Sequence, residues 1–354
     1  MNTSLHRILN RQMKHGLLSL LLCSLSVTFI GCPTTDPGPA NQVDYVLPAG
    51  FPQFPIPADN PINAEKIELG RRLFYEVRLS SDNTIACANC HKQEFAFTDG
   101  GMQVSRGVNG ELGNRNSPTV VNSAYAPSLF FDGRAPSLEE QAFAAFTNPA
   151  EMRADVAVID ERLKNDSQYV AQFTRAFGTG TVPTSRLAMK AISAFIRTVL
   201  SGNSRYDQFI QGNTSALTAS EKRGKDLFFG TRTQCAACHS GYNFTDNDFH
   251  STGLFTHYYD KGRHDFTRNP SDVGKFKTPS LRNIALTAPY MHDGHLATLE
   301  ESLDHYNEGG KQFINKDSRI VPLNLTQDEK NDLIAFLQSL TDEELVRNPK
   351  FGKK

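Results

Sequence analysis

Two short motifs in the sequence combine residue types that can do chemistry. Cys87-Ala88-Asn89-Cys90-His91 and Cys235-Ala236-Ala237-Cys238-His239 each hold two thiols, with an imidazole directly after the second. Four kinds of site use such residues: a structural disulfide, a redox dithiol, half of a zinc site, or a covalently attached haem. The motif occurs twice in one chain, so its interpretation decides what the protein holds.

The histidine after each second cysteine favours the haem. A disulfide requires no histidine beside it, and a zinc site built from both cysteine pairs would leave both histidines unused. In a covalent haem site the thiols form thioethers with the porphyrin vinyl groups, and the adjacent histidine becomes the proximal iron ligand. We therefore predict two covalently bound haem c groups, one held by Cys87, Cys90 and His91 and the other by Cys235, Cys238 and His239.

The N-terminus predicts export. Three basic residues precede the apolar run 16–31, which is too short to span a bilayer and has the layout of a secretory signal. The run ends at "FIGC", which resembles a bacterial lipobox with Cys32 as the lipidated residue, although Phe29 stands where leucine is usual; ordinary cleavage nearby and an uncleaved anchor are the alternatives. We expect 1–32 to be a signal peptide and the protein to be periplasmic or cell-envelope, meeting the membrane only through a lipid anchor.

Length and composition indicate two domains behind a tether. The chain has 354 residues, 39% of them hydrophobic, and a net charge of −1 with dispersed basic residues, which argues against nucleic acid as a partner. Residues 33–62 carry eight prolines and are expected to form a stiff, extended tether. The N-terminal haem domain should span about 63–200 and the C-terminal haem domain about 215–345.

The local patterns favour helices. The stretches "ELGRRLF" and "KRGKDLF", which precede the two cysteine motifs, share Gly-x-x-Leu-Phe, so each half reads as one repeated unit. Residues 184–209 have helical periodicity, and capping boxes predict helix starts at Thr218, Thr298 and Thr326. Strand-like alternation is almost absent. The fold is therefore predicted to be all-α, with two cytochrome c-like haem domains and long loops.

Several blocks resemble the bacterial di-haem cytochrome c peroxidase and MauG family over nearly all of the mature chain. These blocks are both cysteine motifs, "RNSPTVVN", "FFDGRAPSLEEQA", "NPAEM", "FKTPSLRNIALTAPYMHDG" and "LDHYNEGG". The resemblance implies a di-haem peroxidase that reduces hydrogen peroxide with electrons from a donor protein such as a small cytochrome c or copper protein. The alternatives are a MauG-like oxidase that modifies a protein partner and a non-catalytic di-haem electron carrier.

A peroxidase needs an iron with an open face and a nearby acid or base that moves a proton between the peroxide oxygens. The resemblance assigns the proton transfer to Glu151 and the orientation of peroxide to Gln141; otherwise Glu151 is a solvated loop carboxylate. Family members that start in a closed state carry a histidine ligand where this chain has Val108, so we expect an open first haem. Met102 is a rival ligand, and Ala145 replaces the usual proline over the first haem.

For the second haem, the resemblance implies a MauG-type tyrosine ligand, Tyr306. A plainer interpretation is that Leu299, Leu303 and Tyr306 form the buried face of one helix, and both can hold. A phenolate is an anionic donor that lowers the reduction potential, so the second haem should store oxidising equivalents rather than simply accept electrons. The rival ligands are Met291, His292, His295 and His305.

Two further features bear on the family comparison. Phe131 stands where the family has a tryptophan between the haems, and the chain contains no tryptophan, so communication between the haems needs another route. Family members also bind calcium through one asparagine and two backbone carbonyls, which here correspond to Asn116, Thr287 and Pro289; Asn116 could instead only cap a turn.

One polar loop carries three histidines that the family blocks do not use. His250, His257 and His264 lie there with Asp260 and Asp265. Their spacing matches no ligand geometry, so we expect solvated loop histidines rather than a metal site.

Overall fold

The computed structural model describes residues 45–354. Helices dominate this part of the chain and are joined by long loops with short 3₁₀ turns, and one two-stranded antiparallel ribbon is present, so the expected all-α fold is confirmed. The elements, in chain order, are α1 (Ala64–Phe74), α2 (Cys87–Cys90), α3 (Leu138–Thr147), α4 (Val156–Lys164), α5 (Ser167–Phe177), α6 (Ser185–Ile196), α7 (Arg205–Ile210), α8 (Ala219–Phe228), β1 (Phe249–His250), α9 (His264–Thr267), β2 (Phe276–Lys277), α10 (Leu299–Asn307), α11 (Gln327–Gln338) and α12 (Glu343–Arg347).

The predicted helix starts are present. Thr218 and Thr326 form reciprocal capping boxes with the glutamates three residues later. Thr298 caps α10 through the Glu301 N–H, but the Glu301 carboxylate accepts from the Ala297 N–H instead of closing the box.

The helical pattern of 184–209 contains a break. Helix α6 ends at Ile196, and α7 begins at Arg205 after its N-cap Ser204. The Ser204 N–H donates to the Asp207 carboxylate, and the Asp207 N–H donates to the Ser204 hydroxyl. Asp207 is held in turn by a buried, bidentate ion pair with Arg282. The stretch Ser201-Gly202-Asn203-Ser204 lies at the break, and its residue types favour a turn, which the helical periodicity of the whole segment does not reveal.

The first core forms where α1 crosses α6. Leu69, Leu73 and Phe74 of α1 are buried against α6, and the Phe74 and Phe195 rings lie 5.4 Å apart, edge to face. Gly70 makes the crossing possible, because a Cβ at this position would overlap the backbone carbonyl of Ala191. The two helices therefore approach with backbone against backbone.

The second core repeats this arrangement with α8 and α11. Phe228 of α8 packs against Phe336 of α11, with ring centroids 5.1 Å apart. A Cβ on Gly224 would overlap the carbonyl of Asp332. The glycine of each Gly-x-x-Leu-Phe repeat thus lies at a helix crossing, and each crossing lies next to one cysteine motif.

The C-terminal segment returns to the first core. Leu345 is buried among first-core residues, and the Phe351 ring lies 6.3 Å from Phe97. The Tyr75 hydroxyl donates to the Phe351 carbonyl (2.8 Å), and Gln93 donates to the carbonyls of Leu345 and Asn348. The segment therefore fixes the loop that follows His91.

The described part of the expected tether is not extended away from the body. Phe54 and Asn60 are fully buried, and Asn60 donates to Glu139 and to the Lys190 carbonyl. Phe51 lies 4.8 Å from the Tyr242 ring. Phe51, Phe54 and Asn60 thus pack against the body of the protein, and the tether boundary at 62 stays a prediction.

The signal peptide, Cys32 and the remainder of the expected tether lie outside the described residues. Within 45–354, no helix is long and apolar enough to cross a bilayer.

We expect Gly70→Ala and Gly224→Ala each to lower the free energy of unfolding by about 2 to 3 kcal/mol, because the added methyl group overpacks a backbone contact. Alanine in a helix interior is otherwise favoured over glycine by about 1 kcal/mol, so the loss reports the crossing itself. Denaturant unfolding followed by circular dichroism measures it. Gly113→Ala is the control, since its Cβ would meet nothing closer than 3.7 Å; equal stability of all variants would contradict the close-crossing account.

Candidate haem sites

The first histidine is held in one orientation by its own loop. His91 follows α2 directly, and its Nδ1 lies 3.0 Å from the carbonyl of Phe97, a fully buried residue. A carbonyl only accepts, so Nδ1 carries the proton and Nε2 keeps its lone pair for a metal. Burial lowers the pKa of His91, which keeps the ring neutral, the form that binds iron.

The second histidine repeats the arrangement. His239 Nδ1 lies 3.1 Å from the carbonyl of the buried Phe244, and burial lowers the pKa of His239 as well. Both imidazoles therefore present Nε2 beside two thiols.

The thiols fit covalent attachment better than the competing sites. All four are free, and burial raises the pKa of Cys87 to about 12 and of Cys90 and Cys238 to about 11. A redox dithiol and a zinc site both require thiolates, which these surroundings disfavour. The two cysteine pairs also border different cores, so they do not converge on one metal.

An apolar cavity joins the second cysteine motif to helix α10. It measures about 350 Å³. Cys235, Cys238 and His239 lie on its wall together with Tyr306. Two thiols, a free imidazole nitrogen and a phenol around an apolar space are a donor set that fits a haem. Its other apolar lining residues include Phe228, Leu281, Ile284, Leu299, Leu303, Leu333 and Leu337.

Tyr306 lies on the cavity side of α10, as its spacing with Leu299 and Leu303 predicts. Both leucines are buried in the second core, and Tyr306 packs against that core. Burial raises the pKa of Tyr306, so a phenolate at this position needs a cationic partner. A bound ferric iron would supply that charge.

The rival ligands of the second site separate into two groups. His305 Nε2 donates to the Thr252 carbonyl (3.2 Å), and His295 is exposed; neither lines the cavity. Met291 and His292 do line it, but His292 is stacked on Phe276 with centroids 3.6 Å apart.

Glu151 lies within electrostatic reach of the first cysteine motif. Its carboxylate adds to the effect of burial, which raises the pKa of both Cys87 and Cys90. Burial raises the pKa of Glu151 itself, although the hydrogen bond from Asn148 Nδ2 to its Oε1 (2.7 Å) opposes the rise. It is therefore a half-buried carboxyl held in place, and not a solvated loop side chain. The role of Asn148 was not predicted, although it lies in the "NPAEM" block.

Val108 is packed against the Glu151 loop. Its side chain is 1% exposed and its N–H donates to the Glu151 carbonyl (2.9 Å). A Cβ on the preceding Gly107 would overlap the carbonyls of Ala150 and Glu151, so the two loops are in direct contact. Met102 is 38% exposed, and its carbonyl accepts from Asn116.

Gln141 and Ala145 lie one turn apart on α3, which leads into the Glu151 loop. Both side chains are half-buried, and no hydrogen bond joins Gln141 to Glu151 within residues 45–354. Phe131 lines the cavity of the second site.

Asn116, Thr287 and Pro289, the residues expected to bind calcium, all line the cavity of the second site. Asn116 Nδ2 donates to the carbonyls of Met102 and Gln103 at 3.1 Å each, which fixes the amide and leaves its Oδ1 as the acceptor atom.

His250 is not a solvated loop residue. Its ring lies 2.8 Å from Asp317 and 3.0 Å from Asp246, and Arg319 approaches it. The sequence spacing does not indicate these contacts, because Asp317 and Arg319 belong to a loop that is distant in the sequence. His250 also lies close to Cys238 and Asp246. These three side chains form the one group of three potential metal ligands in the described part of the chain. His257 is exposed, and His264 meets only the Asn269 carbonyl.

Comparisons with known proteins cover both motifs. Residues 64–215 match the family described as "Di-haem cytochrome c peroxidase" and residues 221–341 the family "Cytochrome c". The chain is 38% identical to the cytochrome-c peroxidase IdrP1 of Pseudomonas sp. (strain SCT), over 92% of both chains. It is also 38% identical to the methylamine utilization protein MauG of Methylorubrum extorquens, over 92% of this chain and 94% of that one.

A solved structure is similar as well. The crystal structure of a MauG-like protein associated with microbial copper homeostasis has a TM-score of 0.83 and 41% sequence identity, covering 86% of this chain and 97% of that one.

If the Tyr306 phenolate binds iron, Tyr306→Met should raise the reduction potential of the second haem, because a thioether replaces an anionic donor. Tyr306→Phe should alter the low-spin resonance signal, because the ligand is lost or replaced. Redox titration with resonance spectra tests both. Tyr290→Phe is the matched control, since the Tyr290 phenol lines the same cavity but donates to Ile284; unchanged spectra in both Tyr306 variants would make Tyr306 a core aromatic only.

Proposed function

Because the chain belongs to the di-haem cytochrome c peroxidase family, we propose that it reduces hydrogen peroxide to water with electrons from an external donor protein. Relatives named cytochrome-c peroxidase match most of the chain, among them one of Nitrosomonas europaea at 35% identity. The overall reaction consumes one peroxide, two electrons and two protons and yields two waters. Two cytochrome c domains imply haem c, and we propose that Cys87, Cys90, Cys235 and Cys238 attach the two groups covalently.

Haem iron, when bound, supplies the electrons that cleave the peroxide bond. What the chain contributes is the movement of a proton. The Glu151 carboxylate removes a proton from the bound peroxide oxygen and returns it to the departing oxygen, which then leaves as water. The amide of Asn148 holds Oε1 of this carboxylate, and Gln141 orients the substrate from α3.

One observation carries the proposal: Asn148 holds the half-buried Glu151 carboxyl within electrostatic reach of the first cysteine motif, and the loop packed against it carries Val108, which cannot bind iron. An acid-base group next to an accessible iron face is what peroxide cleavage requires. A non-catalytic electron carrier needs two six-coordinate irons and no such carboxyl, so these residues argue against it.

The second site stores oxidising equivalents and shares the oxidised state with the first. His239 and Tyr306 are proposed as its iron ligands, and the donor would be a small cytochrome c or copper protein. Phe131 offers no oxidisable ring between the sites, so electrons would cross by tunnelling or through another residue. We further propose periplasmic or cell-envelope location with a lipid on Cys32, and one calcium ion held by Asn116 Oδ1 and the carbonyls of Thr287 and Pro289.

A MauG-like oxidase that modifies a protein partner is the second candidate. It is favoured by Tyr306 in the second site and by 41% identity to the MauG-like protein associated with copper homeostasis. The two activities differ in their source of electrons. Peroxide consumption that follows oxidation of an added cytochrome or copper protein supports the peroxidase; covalent change in a protein partner without such a donor supports the oxidase.

Glu151→Gln should keep both haems and lose about 10²- to 10⁴-fold of peroxide turnover, because the amide cannot accept the proton. Haem content and donor oxidation are measured on the same samples. Glu111→Gln is the matched control, since Glu111 is an exposed carboxyl on the Val108 loop. Near-normal turnover in Glu151→Gln would remove this residue from the mechanism.

Turnover should also fall at acid pH as Glu151 becomes protonated and can no longer act as a base. The midpoint should lie above the ordinary range for a carboxyl, because burial raises the pKa of Glu151. Asn148→Ala should move this midpoint to still higher pH, since it removes a hydrogen bond that favours the carboxylate. A pH profile identical in Asn148→Ala and wild type would contradict the assignment.

The fully oxidised protein should react with peroxide without prior reduction, because Val108 leaves no ligand to displace. Stopped-flow mixing should give an immediate Soret change. Val108→His should introduce a requirement for partial reduction, whereas Val108→Leu should not. If only the half-reduced form of the wild-type protein reacts with peroxide, the first iron is closed in the fully oxidised protein.

A further inference from the structure

Lys277 is a cation that the proposed mechanism does not use. It lies on β2, pairs with Phe249 of β1, and its N–H donates to the Phe131 carbonyl (2.7 Å). Its side chain is half-buried and lines the same cavity as His239 and Tyr306.

The carboxylates around Lys277 are engaged with other groups. Asp246 favours the charged form of Lys277 through a long-range electrostatic interaction, but its carboxylate pairs with His250 at 3.0 Å. Asp317 pairs with Arg319 at 2.7 Å, which holds the pKa of Asp317 well below its usual range. Within residues 45–354, no carboxylate lies within ion-pair distance of Lys277 Nζ.

An unpaired cation facing an apolar cavity is unfavourable. Burial lowers the pKa of Lys277 to about 8, and desolvating an ammonium without a partner costs several kcal/mol. Such a lysine points to an anion that enters the cavity. A haem carries two propionate carboxylates on the edge opposite its vinyl groups, and these are anions of the required kind.

We propose that Lys277 binds a propionate of the haem held by His239. This rests on the proposed function, because it requires that haem. The strand of Lys277 is tied to the loop that follows this histidine: the Thr278 N–H donates to the Asp248 carbonyl (2.9 Å), and the Thr245 hydroxyl donates to the Thr278 carbonyl (2.7 Å). The Asp246 N–H in turn donates to the Cys238 carbonyl (2.7 Å), so hydrogen bonds connect the strand of Lys277 to the cysteine motif.

Lys277 is thus a positioning residue with an electrostatic effect. It fixes the propionate edge of the haem and neutralises a carboxylate close to the iron. Removing its charge leaves a negative group there, which stabilises the ferric form and lowers the reduction potential.

The test compares Lys277→Met, which keeps the length of the side chain, with Lys277→Arg, which keeps the charge. Lys277→Met should shift the second haem's oxidation equilibrium about tenfold toward ferric, or about 59 mV for one electron. Its potential should also become pH-dependent between about pH 5 and 8, because the unpaired propionate now takes up a proton on reduction. Lys277→Arg should restore the potential and the flat profile of the wild type.

Two controls separate this effect from its surroundings. Lys275→Met removes a nearby lysine that pairs with Asp272 and does not line the cavity. His250→Gln is included because the ring lines the same cavity, where it lies between Asp246, Asp317 and Arg319. When Lys277→Met is combined with either control variant, the shift in the reduction potential of the second haem should still appear.

The proposal is overturned if Lys277→Met keeps both haems and its reduction potential is unshifted and independent of pH. Normal peroxide turnover in the same sample would show that the proposed peroxidase function still holds. If Lys277→Met does not retain its haems, amine labelling of the wild-type holoprotein at pH 8 decides. Lys277 should then be protected relative to Lys275, and labelling as fast as Lys275 overturns the propionate contact.

Discussion

The hydrogen bond from each histidine Nδ1 to a backbone carbonyl is the constraint on which both sites depend. His91 binds the carbonyl of Phe97 and His239 that of Phe244, and both phenylalanines are buried in the core of their own half. The rigid core thereby fixes the ring orientation, the tautomer and the direction of Nε2. The crossing of α1 with α6, and of α8 with α11, builds that core directly behind each cysteine motif.

The two sites differ on the side away from these histidines. The Glu151 carboxyl lies within electrostatic reach of the first cysteine motif, where a hydrogen bond from Asn148 and contact with the Val108 loop hold it in place. The second faces Tyr306 across an apolar cavity. Two similar histidine environments thus differ in the residues near them, a half-buried carboxyl for the first and a phenol for the second.

Local rules predicted much of this from the sequence. The cysteine motifs, the caps at Thr218 and Thr326 and the Gly-x-x-Leu-Phe repeats depend on neighbouring residues, so their structures follow from short stretches. Long-range contacts could not be inferred in this way. The burial of Phe54 and the return of Phe351 to the first core depend on surfaces that form only after folding.

The polar groups of the second cavity were missed for the same reason. His250 looked like a solvated loop residue because Asp317 and Arg319 are far away in the sequence. Lys277 belongs to a family-like block, but only its position on the cavity wall, without a carboxylate partner in the described residues, indicates a role.

The central claim is that the two irons differ in coordination, and an electron paramagnetic resonance spectrum of the resting, fully oxidised protein tests it most directly. The account predicts one high-spin ferric signal, from an iron held by His91 alone among protein ligands, and one low-spin signal from the iron between His239 and Tyr306. Two low-spin signals of equal intensity would mean that the first iron has a sixth protein ligand, and would contradict the account.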